Sequence, residues 1–135
     1  MTTWSRFLLL LLGIAWTSVS TEAVKEKGNH LAVVHVIDAL PKKSKPMSLE
    51  CKSGRTHEGL GQQTLNVGDD YKWNVEENAT YYCSALWGRY FGSWHGFQPR
   101  RDVGHGTIYW RVKDNGFLLS WDRTSWVRKG QWETE

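Results

Sequence analysis

The 135-residue sequence has few of the features that mark an enzyme or a heavily cross-linked secreted protein. It contains two cysteines, which leaves room for one disulfide and excludes a framework of several. The five histidines show no metal-ligand spacing, and His57-Glu58 is not followed by a second histidine because position 61 is glycine. There is no G-x-S-x-G motif and no glycine-rich phosphate loop that opens a helix. The sequence therefore predicts no catalytic residue, no metal site and no cofactor, and the protein is not expected to be an enzyme.

A strong charge of one sign is also missing. The formal net charge is +3 at pH 7, and such a mild basic balance does not indicate a nucleic-acid partner. After residue 23, no apolar run has the length needed to span a bilayer. We therefore expect no nucleic-acid partner and no integral membrane segment in the mature chain, which we expect to be a monomer.

The N-terminus carries the longest apolar run of the sequence. Arg6 precedes the apolar segment 7–15, and small residues follow between 17 and 23. This order is typical of a secretory signal peptide, and the run is too short for a membrane anchor. We predict that residues 1–20 are removed, with cleavage after Ser20 or as late as Ala23. Residues 21–135 are then expected to form one secreted, extracellular domain.

Most of the mature sequence has the patterns of short strands. Residues 31–37 are β-branched and almost wholly apolar, which predicts a strand buried on both faces. Residues 47–51 alternate between apolar and polar side chains, as a half-buried strand does. Asn115-Gly116 separates two apolar runs and predicts a hairpin. About eight such strands with no convincing helical period predict an all-β fold, a small antiparallel β-sandwich with one disulfide.

Two sites of covalent chemistry lie inside this region. In an oxidising compartment Cys51 and Cys83 most simply bond to each other. Asn78-Ala79-Thr80 is an N-glycosylation sequon in a predicted turn, so Asn78 is a candidate glycan site. Seven of the nine tryptophans belong to the mature chain, where we expect most of them to fill the core of a small domain.

A series of short motifs runs through nearly the whole mature chain. In order and spacing they resemble the plant self-incompatibility S-protein family. The motifs are Val34-x-Val36-x-Asp38-x-Leu40, Cys51-Lys52-Ser53, Leu60-Gly61, Leu65, Gly68, Tyr71, Trp73, Tyr82-Cys83, Arg101-Asp102, Trp110-x-Val112 and 114–116.

The sequence departs from the family pattern in three places. Asp38 stands where the family usually has asparagine, and His57-Glu58-Gly59 replaces an acidic run. Two further cysteines that family members usually carry before the late tryptophan are absent. Their joint absence implies that they bond to each other in the family, which leaves Cys51 and Cys83 as partners here.

The resemblance implies an extracellular ligand of a cell-surface receptor, in pollen rejection or another kind of cell–cell signalling. Loops at the ends of a rigid sandwich are where binding residues concentrate, so we expect recognition in the irregular segments 52–61 and 88–106. A secreted carbohydrate-binding module of the cell wall is the main alternative function, and a secreted hydrolase is a more distant one. The candidate receptor-binding residues are Arg55, His57, Glu58, Arg89, Arg100 and Arg101. For Arg101 a structural ion pair with Asp102 is an equally supported alternative, because Arg101-Asp102 matches the family pattern.

Overall fold

The computed structural model describes residues 31–134, so the predicted signal peptide lies outside the described residues. Within them the chain forms nine strands and one short helix, where about eight strands were expected. In chain order the elements are β1 (Leu31–Asp38), β2 (Met47–Ser53), β3 (Gly59–Leu65), β4 (Asp70–Glu76), β5 (Tyr81–Trp87), β6 (Tyr90–Phe97), α1 (Pro99–Asp102), β7 (Thr107–Lys113), β8 (Gly116–Ser120) and β9 (Val127–Gly130).

The strands form two sheets that pack as a sandwich, which confirms the predicted fold class. One sheet has the strand order β4-β1-β7-β8-β9 and the other β3-β2-β5-β6. The expectation of purely antiparallel pairing is wrong for one pair, since β1 and β7 run parallel with Val34 beside Ile108. A parallel pair needs a long crossover connection. The chain provides it, because β2 to β6 all lie between these two strands.

Only one face of β1 is fully buried, although the sequence predicted burial on both. Val34 and Val36 are completely buried, whereas Val33 and His35 are half-buried. The first pair faces the other sheet and the second pair lies on the outer face of the five-stranded sheet.

The core between the sheets is built around bulky aromatic side chains. Trp110 and Phe117 are fully buried, and Trp94 stacks on Phe117 with ring centroids 4.4 Å apart. The Trp110 indole N–H also donates a 2.9 Å hydrogen bond to the backbone oxygen of Gly96, which connects β7 to β6 across the sandwich. Trp73, Trp94 and Trp110 are each at most 9% exposed, so three of the seven tryptophans lie in the core, whereas most of them were expected there. Trp87 and Trp132 are partly buried and pack against this core.

The two cysteines form the predicted disulfide. Cys51 and Cys83 are direct partners on the adjacent strands β2 and β5, and both side chains are buried. The bond therefore links neighbouring strands of one sheet and lies on its inner face.

Strand β6 lies inside the segment 88–106, which the sequence analysis described as irregular. This expectation was wrong because glycine occupies two inward positions of the strand. A Cβ atom at Gly92 would collide with the ring of Phe117, and one at Gly96 would lie 2.7 Å from the Cys83 sulfur. The inner face of β6 is therefore buried without a run of large apolar residues, which removes the usual alternation.

The hairpin predicted at Asn115-Gly116 is present between β7 and β8. Lys113 pairs with Gly116, so that Asp114 and Asn115 form the two-residue turn. Gly116 has a φ of 137°, and a Cβ there would overlap the backbone oxygen of Gly130. Only glycine fits this first residue of β8.

The loops divide between the two ends of the sandwich. Ser53 and Phe97 both pair with Tyr81, the first residue of β5, so they lie at the same end of the sandwich. Leu31 pairs with Glu76, the last residue of β4, and a short turn joins Glu76 to Tyr81, so Leu31 lies at this end as well. We call this end, formed by residues 54–58, 77–80, 98–106 and 121–126, the Arg55 end. The other end, formed by residues 39–46, 66–69, 88–89 and 114–115, is the Lys42 end.

Candidate functional site

The β2–β3 loop at the Arg55 end is held by a buried serine. The hydroxyl oxygen of Ser53, which is 7% exposed, accepts hydrogen bonds from the backbone N–H groups of Arg55 and Thr56 at 3.2 and 3.4 Å. The backbone oxygen of Ser53 accepts a further bond from the N–H of His57, which adopts a φ of 61°. The side chains of Arg55, His57 and Glu58 are all exposed. A fixed backbone thus presents three polar side chains to solvent.

The β4–β5 turn packs beside this loop. The N–H of Gly54 donates a 2.8 Å bond to the backbone oxygen of Thr80, and a Cβ at Gly54 would lie 2.5 Å from the Tyr82 ring. Arg55 and Glu76 lie 3.7 Å apart, and both side chains are largely exposed, so this ion pair contributes little to stability. Asn78 is exposed in the same turn, a position that leaves room for a glycan.

The β6–β7 connection is organised by the buried carboxylate of Asp102, which is 0% exposed. Asp102 accepts two bonds from Arg101, at 2.8 Å from Nε and 2.7 Å from a terminal nitrogen. It also accepts bonds from the backbone N–H of Gln98 at 2.9 Å and from the indole N–H of Trp121 at 3.1 Å. Four donors therefore compensate the loss of hydration of this carboxylate.

The β8–β9 loop joins the same network through aromatic stacking. The ring of His105 stacks on Trp121 with centroids 3.7 Å apart and planes within 9° of parallel. In this loop Asp122 accepts bonds from the backbone N–H groups of Ser125 and Thr124 and from the hydroxyl of Ser120. The backbone bonds from Ser125 and Thr124 keep the pKa of Asp122 well below its usual value of 3.8. Stacking and capping thus fix the loop.

Five of the six candidate receptor-binding residues lie at the Arg55 end. Arg100 is exposed on α1, whereas Arg101 is only 17% exposed at its side chain and is held by Asp102 and by the backbone oxygen of His95. Arg89 lies in the β5–β6 turn, at the Lys42 end, because β6 carries the chain across the whole sandwich. The structure therefore brings together Arg55, His57, Glu58, Arg100 and Arg101, and separates Arg89 from them.

Three residues that build this end were not predicted from the sequence as site residues, namely Ser53, His105 and Trp121. Ser53 carries a weak signal, since a serine just before a short polar loop often bonds to the next backbone N–H groups. The stacking of His105 on Trp121 has no local signal, because the two residues are 16 positions apart and meet only through the sheet.

The surface around these loops is polar and charged. Between residues 31 and 134 no group of three metal-ligating side chains comes together, and no helix is long and apolar enough to span a membrane. Three depressions on the described part of the chain have volumes of about 360 to 440 Å³. The Arg55 end offers hydrogen bonds and charges of both signs to another molecule.

Fold and loops together define a class of protein, a small β-sandwich with one disulfide and charged, well-ordered loops at one end. The family described as plant self-incompatibility protein S1 matches residues 33–132. The chain belongs to this family, as its motifs indicated.

A solved structure supports the same fold assignment. It is described as that of SPH (self-incompatibility protein homologue) proteins, a widespread family of small, highly stable, secreted proteins from plants. The two chains are 14% identical with a TM-score of 0.63, and the match covers 80% of this chain and 99% of that one. A comparison with curated protein sequences finds no match.

Proposed function

We propose that the protein is a secreted signalling ligand that binds a cell-surface receptor through the Arg55 end, in pollen rejection or another kind of cell–cell signalling. The observation that carries the proposal is a set of exposed polar side chains on loops whose backbones are held by the buried groups Ser53 and Asp102. Ordered loops lose little conformational entropy on binding, which favours affinity. The proposed contact residues are Arg55, His57, Glu58 and Arg100.

Arg101 and Arg89, which the sequence indicated as receptor-binding residues, are not proposed to contact the receptor. Arg101 supports the loops through its ion pair with Asp102, with a 2.7 Å contact, and contributes to binding by holding α1 in place. Arg89 lies at the Lys42 end and is left out of the proposed surface.

Secretion is supported by the signal-peptide pattern of residues 1–20 and by the disulfide, which persists in oxidising compartments. The similar solved structure is described as that of secreted plant proteins. A glycan on Asn78 would project from the turn beside the Arg55 loop and limit the surface that a receptor contacts. In this proposal the protein acts by binding alone and has no catalytic role.

The test is binding of fluorescently labelled protein to intact plant cells. We expect saturable binding that protease treatment of the cells abolishes. A triple variant, Arg55→Ala with His57→Ala and Glu58→Ala, should weaken binding on the order of tenfold, since a few interface residues carry most of the binding energy. Arg89→Ala is the matched control from the opposite end and should bind as the wild type does. Melting temperatures of all variants should stay close to that of the wild type.

Two outcomes would contradict the proposal. If Arg89→Ala weakens binding as much as the triple variant, the Arg55 end is not the receptor-binding surface. If binding survives protease treatment and soluble cell-wall polysaccharide competes for it, the protein is a carbohydrate-binding module instead.

A further inference from the structure

We infer that the free edge of β6 is a second binding site, which takes up an extended peptide with an acidic side chain as an additional strand. The site lies on the side of the sandwich, between β6 of one sheet and β9 of the other. It is separate from the exposed loop residues of the Arg55 end and does not depend on the receptor proposal.

The direction of the β6 backbone groups follows from two observations. Phe91 exchanges two backbone hydrogen bonds with Glu133, at 2.9 and 2.8 Å, so its N–H and C=O point away from β5. The C=O of His95 points the same way, because it accepts a 2.9 Å bond from Arg101. Backbone groups of alternate residues point to the same side of a strand. Ser93 lies between these residues, so its N–H and C=O also face the free edge.

Part of this edge forms no backbone pairing with another strand among residues 31–134. The C-terminal segment pairs with β6 only at the Phe91–Glu133 bridge, and the chain before it belongs to β9, which pairs with β8 in the other sheet. The gap that opens beyond the bridge leaves the N–H and C=O of Ser93 and the N–H of His95 without a backbone partner in the described chain. Such a row of groups is a template for pairing with another chain.

The gap is a cleft of about 430 Å³ whose lining is both polar and aromatic. Its lining includes Ser93, His95 and the 7% exposed Trp94 of β6, and Lys129 of β9 lies across from them. An extended peptide can bind here as an added strand, with its backbone bonded to the free groups of Ser93 and His95. Its successive side chains then point alternately into the cleft and towards solvent.

The charges that line the cleft indicate which peptides would bind there. Arg101 and Lys129 both line the cleft, and Lys129 has no ion pair within the described residues. The single acidic group bonded to Arg101 is the fully buried Asp102. Since Asp102 already compensates the charge of Arg101, an aspartate or glutamate turned into the cleft would meet the unpaired charge of Lys129 and no carboxylate among the residues that line the cleft. The ligand class is an extended peptide with an acidic residue at an inward position.

The test is selection of peptides from a displayed library of random linear peptides, followed by amide hydrogen exchange with a synthetic copy of an enriched peptide. We expect enriched sequences to contain an acidic residue flanked by β-branched ones. The bound peptide should slow exchange at the amides of Ser93 and His95, which exchange rapidly in the free protein.

Three variants locate the site. Ser93→Pro removes the outward N–H and should weaken peptide binding on the order of tenfold, because the peptide carbonyl that this N–H bonds is left without a partner. Proline is tolerated on an edge strand where the N–H faces outward. Ser93→Ala keeps the N–H and is the matched control, which should bind within about twofold of the wild type. Lys129→Glu reverses the charge of the opposite wall and should weaken binding of acidic peptides.

The results separate the possible outcomes clearly. Equal binding by Ser93→Pro and Ser93→Ala, or protection at amides outside β6, would overturn the inference, and so would a selection that enriches no peptide. If Ser93→Pro does not fold, two measurements test the inference without it. These are the slowed amide exchange of Ser93 and His95 in the wild type and the weaker peptide binding of Lys129→Glu.

Discussion

Each end of the sandwich contains a fully buried aspartate, and the two aspartates differ in the number of hydrogen bonds that compensate their burial. Asp102 at the Arg55 end accepts four hydrogen bonds, two of them from the guanidinium group of Arg101. Asp38 at the Lys42 end is 1% exposed and accepts one, at 3.1 Å from the backbone N–H of Leu40 to Oδ1. Its other oxygen, Oδ2, is buried without a hydrogen-bond partner.

This difference in partners has an electrostatic consequence for Asp38. Burial raises the pKa of Asp38 above its usual 3.8, the bond from Leu40 opposes the shift, and the nearby Asp69 adds to it. An ionised carboxylate at this position therefore lowers the stability of the folded state. Asp102 therefore stabilises the Arg55 end, whereas Asp38 destabilises the Lys42 end, because the fold brings four hydrogen-bond donors to Asp102 and one to Asp38.

The exchange of aspartate for asparagine at both ends tests this contrast, and the larger effect is expected at Asp102. Asp102→Asn removes the charge that compensates Arg101 and places an amide N–H among groups that all donate. Breaking one half of a buried ion pair costs about 3–5 kcal/mol. Urea unfolding should show a lower free energy of unfolding by this amount, together with faster amide exchange in the loops 98–106 and 121–126. A loss below about 1 kcal/mol would contradict the anchoring role of Asp102.

Removal of the disulfide is the next largest effect. The bond closes a loop with a sequence separation of 32. By the chain-entropy relation, the double variant Cys51→Ala with Cys83→Ala should lower the free energy of unfolding by about 3.7 kcal/mol. Cys51 lies two residues before Ser53, so we expect the loop 54–58 to exchange its amide protons faster while 66–69 at the other end changes less. Equal changes at the two ends would show that the bond stabilises the sandwich as a whole.

Asp38→Asn should have the opposite sign to Asp102→Asn. The amide has no charge to desolvate, so we expect the variant to be more stable than the wild type at neutral pH by about 1 kcal/mol. Because the folded-state pKa of Asp38 is raised, the free energy of unfolding of the wild type should rise relative to the variant as the pH falls through that pKa towards 3.8. Paired melting curves of the two proteins measure this, and a difference that does not change between neutral pH and pH 3.8 would refute it.

The smallest effect on stability is expected for Arg55→Ala. Its ion pair with Glu76 has both side chains about half exposed and a 3.7 Å separation, so the loss should stay within about 0.5 kcal/mol. In the cell-binding assay the same variant should weaken receptor binding, which would separate a recognition role from a structural one. A strong loss of stability without a loss of binding would assign Arg55 to the scaffold instead.

Several elements of the fold could be predicted because their signals are local. Alternating side chains marked β2, and the turn at 114–116 marked the hairpin between β7 and β8. The two cysteines had no other partners, so their bond followed from composition and compartment. Strand β6 escaped prediction because Gly92 and Gly96 occupy buried positions where the Phe117 ring and the Cys83 sulfur leave no room for a side chain.

The candidate site could be predicted only as a set of loop residues. Nothing in the segment 88–106 shows that Arg89 and Arg100 lie at opposite ends, since this depends on β6 crossing the sandwich between them. For Arg101 the sequence left two roles open, a receptor contact and a structural ion pair with Asp102. The structure shows the ion pair with the buried Asp102, whereas Arg100 is exposed.

The sequence by itself determined the all-β class, the disulfide and most strand positions, since period, turn residues and cysteine number are properties of short segments. Tertiary structure alone decided the parallel pairing of β1 with β7, the gathering of four loops at the Arg55 end and the unequal surroundings of Asp38 and Asp102. The reason is physical. Partners that are distant in the chain meet only after the two sheets have packed, and the hydration and charge of each buried group depend on those partners.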